Sequence, residues 1–420
     1  VMQLLHVLLA SAVVWVVATF APMPRWTRVL IVLGYWLGFE YAVISRNYAL
    51  GLLPLFASAA LLQHRPKAYI GQGVLLAVAC QANALAMMLA GCLGLLQIDL
   101  WLRDGRPMTR RFLIGAIILA AGVLLSVAQL WPVEDRAYSK SPKLVDVERA
   151  GRIAAAWWQS FVPIPPVGRH WWGNNLLDIT IHRGGILKFA QPVLGVITFA
   201  VVAWSMPRRR EGLGLFLLGT GVLCLFFYVV FPGGLRHQGH LVIAAVLALW
   251  IGGGWNVLSK TGRFIWTALF GVSAGVGLLA SALDTVQPFS ASRALATHIE
   301  ANYPPASPVI GTVDLAVSPI AGPLERPIWY PTPGRFGTFI KWDNRRSTWA
   351  DLQLIEQRAA RFHTELSSDV PVLLVLSELS NVEPSSVFRE VARFENATVA
   401  DERYRLFVYV PERGGVEDDR

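Results

Sequence analysis

Charge is sparse in this chain. Only 15% of its 420 residues are Asp, Glu, Lys or Arg, against about 25% in a soluble globular domain. The shortage lies almost wholly before residue 284, which excludes an ordinary soluble domain for that part. Cysteine is scarcer still. Cys80, Cys92 and Cys224 each sit inside an apolar stretch, where a thiol reads as a small buried hydrophobe rather than a disulfide partner or metal ligand. After residue 284 no GxGxxG or P-loop run opens a helix, so a nucleotide site of that kind is not expected. No signal peptide is visible, and Val1 already lies in an apolar run, so an upstream part is expected to be missing.

Apolar side chains dominate instead, at 54% of residues with a mean hydropathy of +0.46. Apolar stretches run at 2–20, 29–45, 48–63, 68–82, 83–101, 112–131, 187–206, 212–231, 240–256 and 263–283. Several are shorter than the roughly 20 residues of a straight span. In the run 68–101, Gln81 and Asn83 near the middle predict two shorter helices. The formal net charge of +9 comes from Arg and Lys clustered at Pro24–Arg28, His64–Lys67, Arg103–Arg111, Pro207–Arg210 and Lys260–Arg263. With ten spans all five loops fall on one side, the positive-inside pattern, which explains the charge without nucleic acid. The other side receives Ser45–Asn47, the loop 132–186, Pro232–His240 and everything from 284 onward.

Two further segments carry texture. From Leu144 to Phe161 one helical face holds Val147, Ile153, Trp157 and Phe161 and the other holds Asp146, Glu148, Arg149 and Arg152, a pattern that suits a helix lying in the membrane interface or packed on protein. From Asp284, helix and strand patterns alternate. Helices are expected at Ser290–Asn302, Trp349–His363 and Ser385–Arg393, and strands at 308–313, 370–376 and 404–410. The fold class is therefore a polytopic α-helical membrane bundle of about ten helices at 1–283, followed by a small soluble three-layer α/β domain at 284–420.

Charged residues between apolar stretches need a partner, a water-filled cavity or a nearby surface, which makes them functional candidates. Residues 40–51, EYAVISRNYALG, hold Glu40 and Arg46 six apart. At 233–241, GGLRHQGHL puts Arg236, His237 and His240 at the outer start of a helix, where anions are favoured. The run EYAVISRNYALG, a luminal helix with tryptophans, GGLRHQGHL and a C-terminal α/β domain together resemble bacterial GT-C superfamily membrane glycosyltransferases, relatives of protein O-mannosyltransferases and lipid A aminoarabinose transferases. The resemblance implies hexosyl or pentosyl transfer from a polyprenyl-phosphate donor on the extracytoplasmic face of the bacterial inner membrane. Such enzymes carry an acidic base in the first outer loop. Here the first acid is Glu40, so the family's principal base is expected to lie upstream of Val1.

Glycosyl transfer needs a carboxylate to take the acceptor proton, donors to steady the departing phosphate and an apolar groove for the prenyl tail. Arg46, Tyr48, Arg236, His237 and His240 suit the phosphate, with Asn47 able to add a hydrogen bond. Glu40 is a weak catalytic candidate or the structural partner of Arg46. Glu134, Asp135, His170, Trp171, Trp172, Asn174 and His182 suit the acceptor or sugar, although loop solvation and an aromatic belt explain many of them as well. The spacing of His237 and His240 admits a divalent metal weakly; no other cofactor is implied. The expected partners are the bilayer, a lipid-linked sugar and a glycan, lipid or protein acceptor. A lipid-linked-sugar transporter or flippase, or a non-catalytic scaffold with an outer binding domain, are the competing readings. The first should show inverted repeats, of which none is convincing.

Overall fold

The computed structural model describes residues 2–44, 47–105, 107–131, 134, 146–166, 171–178, 188–345, 351–366, 370–380 and 382–411. The contacts divide the chain into two compact units. One comprises Val1–Trp131, Ser141–Pro166 and Gly173–Ala282; the other comprises Pro132–Lys140, Val167–Trp172 and Leu283–Arg420.

The first unit is helical. Its helices are α1 (Met2–Phe20), α2 (Arg25–Val32), α3 (Tyr48–His64), α4 (Tyr69–Ala82), α5 (Ala84–Arg103), α6 (Arg110–Leu130), α7 (Val147–Phe161), α8 (Ala190–Ser205), α9 (Arg210–Val229), α10 (Leu235–Ile251) and α11 (Lys260–Val286). Among the described residues five of these, α1, α5, α6, α9 and α11, are long and apolar enough to cross a membrane. Four more, α3, α4, α8 and α10, are apolar but shorter. Helix α10 is apolar nearly all round because it is buried all round: every residue from Gln238 to Trp250 is buried.

The break expected within 68–101 falls at Asn83, whose side chain accepts from Ala86 N at 2.9 Å and so caps α5. The single helix expected over 29–45 is not formed. Helix α2 ends at Val32, and a π-helical turn follows over Tyr35–Glu40. Local geometry forces the change, because the Tyr35 amide donates to Ser273 Oγ of α11 at 3.1 Å instead of to the preceding turn. Gly34 makes that approach feasible, since a Cβ there would lie 2.9 Å from the same hydroxyl oxygen. The apolar face of α7 packs on protein. Trp157 stacks on Phe161 and meets Phe199 of α8 edge-on, and Gly195 of α8 admits the α7 backbone at Ala154.

A set of polar side chains ties three helices of the bundle together. Ser58 of α3 donates to Gln72 Oε1 of α4 at 2.6 Å, and Gln72 Nε2 returns a bond to Ser58 O at 3.1 Å. Gln97 of α5 donates to the same Oε1 at 2.9 Å. Helix α6 meets α4 through small residues, with Gly73 against Gly115 and Gly122 against Ala77, the close approach that apolar solvent favours.

The second unit holds a six-stranded mixed sheet of order β3-β2-β1-β4-β6-β5. Its strands are β1 (Val309–Gly311), β2 (Ile328–Tyr330), β3 (Arg335–Gly337), β4 (Leu373–Ser377), β5 (Phe388–Phe394) and β6 (Tyr404–Tyr409). Strand β1 runs parallel to β2 and β4, and the remaining pairs are antiparallel. Side chains alternate between two cores. Val309, Leu373, Val375 and Leu406 pack with α12 (Ser292–Asn302) and α13 (Asp314–Ala321). Ile310, Leu374, Leu376 and Phe407 pack with α14 (Leu352–Glu365).

The helix expected at Ser385–Arg393 is instead strand β5. A register shift between Glu390 and Ala392 interrupts its pairing with β6. The bulge breaks strict alternation, so the period-2 signal that marks a strand is lost from the sequence. Arg405 of β6 ties this edge down, gripping Glu383 at 2.8 and 3.0 Å and Glu390 at 2.7 Å.

Candidate functional site

The entry into α10 is built on glycine. Gly233 has a φ of 70°, a conformation open to glycine, and the Gly234 amide donates to His237 Nδ1 at 2.9 Å. That bond is the reciprocal half of a capping box. It also assigns the tautomer: with Nδ1 accepting, the His237 proton sits on Nε2.

Tyr41, just after the π-helical turn, reaches the same helix mouth. Its hydroxyl donates to Arg236 O at 2.6 Å and contacts His240 Nδ1 at 3.2 Å. Tyr41 has one proton, and the shorter bond takes it. The contact with His240 therefore requires Nδ1–H to donate, as does the 3.2 Å contact from Nδ1 to His237 O. His240 then keeps a bare lone pair on Nε2. The ring is fully buried, and Nε2 has no hydrogen-bond partner among the described residues. The buried Arg236 Nε likewise lacks one among them. Tyr48 closes the cluster, with its ring 4.9 Å from Tyr41, 5.6 Å from His240 and 6.2 Å from His237. Glu40 is buried and accepts from the Tyr35 hydroxyl at 3.0 Å.

Close packing holds the cluster. Trp36 donates to Ser160 O of α7 at 2.7 Å, and the Ser160 hydroxyl lies 2.9 Å from Gln238 O of α10. Gly239 lets Trp36 and Tyr41 lie flat on the helix.

One side of α10 borders a cavity of about 220 Å³ whose polar lining is Arg152, Gln159, Asn175, Asp178, Gln191 and Gln238, beside Gly233 and Gly234. At about 30 Å³ per water this space holds several waters or one small polar ligand. Asp178 organises the wall. Its Oδ1 accepts from Gln159 at 3.2 Å and Gln191 at 2.8 Å, and its Oδ2 accepts from the Asn175 amide at 2.5 Å. Asn175 in turn donates to Val162 O at 2.8 Å. The carboxylate is thus held by neutral donors, and the wall presents carboxamides and one guanidinium. Gln238 is 6% exposed, and its Oε1 has no partner among the described residues.

Of the residues the sequence singled out, Tyr48, Arg236, His237 and His240 meet here, and Glu40 precedes Tyr41 in the same turn. Asn47 donates instead to Ala82 O at 2.7 Å. Glu134 is exposed. Trp171 and Trp172 belong to the second unit, where Trp172 meets Phe289 edge-on at 4.9 Å. Asn174 is exposed, between the cavity residues Gly173 and Asn175. Arg46, Asp135, His170 and His182 lie outside the described residues. In this tautomer His240 offers an acceptor rather than a donor at Nε2. Among the described residues no group of three or more His, Cys, Asp and Glu could hold a metal ion.

Sequence reading missed Tyr41, Gln159, Asn175, Asp178, Gln191 and Gln238. Carboxamides inside otherwise apolar helices, Gln191 and Gln238 above all, were the available signal. Compared with protein-family models, curated proteins and solved structures, the chain matches none of them.

Proposed function

We propose that the protein is a membrane glycosyltransferase of the bacterial inner membrane. It moves a hexosyl or pentosyl group from a polyprenyl-phosphate donor to an acceptor on the extracytoplasmic face. In this reading about ten spans cross the bilayer, and the C-terminal segment is a three-layer α/β domain outside it. The observation that carries the reading is the junction at α10. One helical turn carries Arg236 and His237 with its proton on Nε2, and its Gln238 lines a cavity rich in carboxamides. Cationic and neutral donors suit a phosphate, and neutral carboxamides suit sugar hydroxyls.

In the transfer the bond between the anomeric carbon and the donor phosphate oxygen breaks, and its electron pair leaves with the polyprenyl phosphate. Arg236 and His237 steady that charge. A bond forms from the acceptor oxygen to the anomeric carbon, and the acceptor proton goes to a base.

The test measures radiolabelled sugar transfer from polyprenyl-phosphate donors in membranes containing the protein. Arg236→Ala, His240→Ala and Gln238→Leu are measured beside the parent at equal protein level. Turnover that Arg236→Ala and His240→Ala abolish and Gln238→Leu weakens supports the reading. No turnover with any donor, or turnover indifferent to all three substitutions, refutes it.

A further inference from the structure

Among the described residues of the second unit the exposed aromatic surface is confined to one place. Among the described Phe and Trp residues from 283 onward, three are more than a third exposed: Phe336 at 47%, Phe339 at 65% and Trp342 at 49%. They lie within seven residues, on edge strand β3 and the segment that follows it. Basic residues are interleaved with them, at Arg335, Lys341 and Arg345. The one acid in this run, Asp343, is occupied by Arg335 at 3.1 Å. Single exposed hydrophobics need no explanation, but clustered aromatics at a sheet edge do.

The composition selects the occupant. Aromatic rings alternating with Lys and Arg are the pattern of side chains that seat at the headgroup level of a bilayer, and the surplus of positive charge complements anionic lipid. A protein groove offers no reason for the basic residues. The chain also supplies proximity. Residues 287–291 alone separate α11, a helix apolar and long enough to cross a membrane, from α12. Five extended residues reach at most about 17 Å, so a membrane holding α11 is present at high effective concentration.

We propose that Phe336, Phe339 and Trp342, assisted by Lys341 and Arg345, insert into the headgroup region of the bilayer that holds α11. The C-terminal domain is then anchored twice, by its tether and by this aromatic tip. The anchor is independent of whether the protein transfers sugar.

The experiment places a nitroxide label at Phe339→Cys in the full chain in lipid nanodiscs, on a background with Cys80, Cys92 and Cys224 changed to Ala. Collision rates with oxygen and with a water-soluble nickel chelate are compared at three sites. Leu278→Cys, on the exposed face of α11, reports whether that helix is in lipid, and Glu395→Cys reports the exposed face of the domain. We expect the oxygen-to-chelate ratio at 339 to exceed that at 395 several-fold. It should rise with anionic lipid and fall in the Lys341→Glu, Arg345→Glu double variant. A water-like ratio at 339 beside a lipid-like ratio at 278 overturns the proposal. So does shielding of 339 from both reagents, the sign of a protein partner or a second copy, and so does a ratio indifferent to charge.

Discussion

Gly239→Ala is a small change that should have a large effect. On an open helix face, replacing glycine with alanine stabilises by about 1 kcal/mol. At Gly239 a Cβ would sit 2.6 Å from Trp36 Cδ2 and in closer collision with Trp36 Cε3 and the Tyr41 hydroxyl. Neither ring can turn aside freely, because Trp36 is bonded to Ser160 O and Tyr41 to Arg236 O. Overpacking of a fixed core costs about 1–3 kcal/mol, and displacing the Tyr41 hydroxyl forfeits a hydrogen bond contributing roughly 0.5–1.5 kcal/mol. The net expectation is a destabilisation of about 1–3 kcal/mol. At about 2–4 °C per kcal/mol for a unit of this size, the midpoint falls by roughly 2–12 °C. Gly214→Ala supplies the opposite case, since nothing lies within 4 Å of its Cβ position; its midpoint should hold or rise. Thermal unfolding of both variants in nanodiscs, followed by intrinsic tryptophan fluorescence, makes the comparison. If Gly239→Ala is as stable as Gly214→Ala, the α10 mouth is not close-packed and the geometry assigned to Tyr41 and His240 fails with it.

Two further outcomes follow from the same contacts. Asp178→Ala removes the acceptor shared by Gln159, Gln191 and the Asn175 amide; leaving buried donors unpaired costs about 1–3 kcal/mol. Asp178→Asn should recover part of this, and equal midpoints for parent and Asp178→Ala would show that the cavity wall is not organised by that carboxylate. In the C-terminal domain, Arg393 and then Arg405 hold the Glu390 carboxyl below its usual value, and Arg405 does the same for Glu383. A carboxylate depressed in the folded state contributes stability that is present above its unfolded value of about 4.3 and lost as pH falls through the lower folded value. Glu390→Gln should therefore flatten the acid limb of the stability profile and leave it unchanged at neutral pH in shape. A parent profile already flat between pH 5 and 3 would refute the assignment.

Much of the architecture was legible because hydropathy marks the segments that shun water, whether they pack on protein or suit a membrane. The apolar runs, the break at Asn83 and the turn to alternating helix and strand after residue 284 all follow from side-chain polarity. Legibility ended where backbone geometry decided the outcome. Residues 29–39 hold no charged side chain, and composition does not register that Ser273, more than two hundred residues away, takes the Tyr35 amide. Strand β5 hid behind its bulge, and α13 behind Pro319 in its second turn. At the site, charge drew attention to Arg236, His237 and His240. The neutral groups beside them, Tyr41 on Arg236 O and His240 and the carboxamides Gln159, Gln191 and Gln238 of the cavity wall, carry no charge and leave only the fainter signal of a polar side chain among apolar ones.

The hydrogen bonds among Ser58, Gln72 and Gln97 carry a mechanical consequence. Gln72 is fully buried, its carbonyl is filled by two donors from neighbouring helices, and its amide is returned to the backbone of one of them. Sliding α3, α4 or α5 by a single turn would strand all of these groups where no water can replace them. Depth and rotation of the three helices are thereby coupled, and they travel as one block. Any large motion within the bundle has to keep these three helices in register.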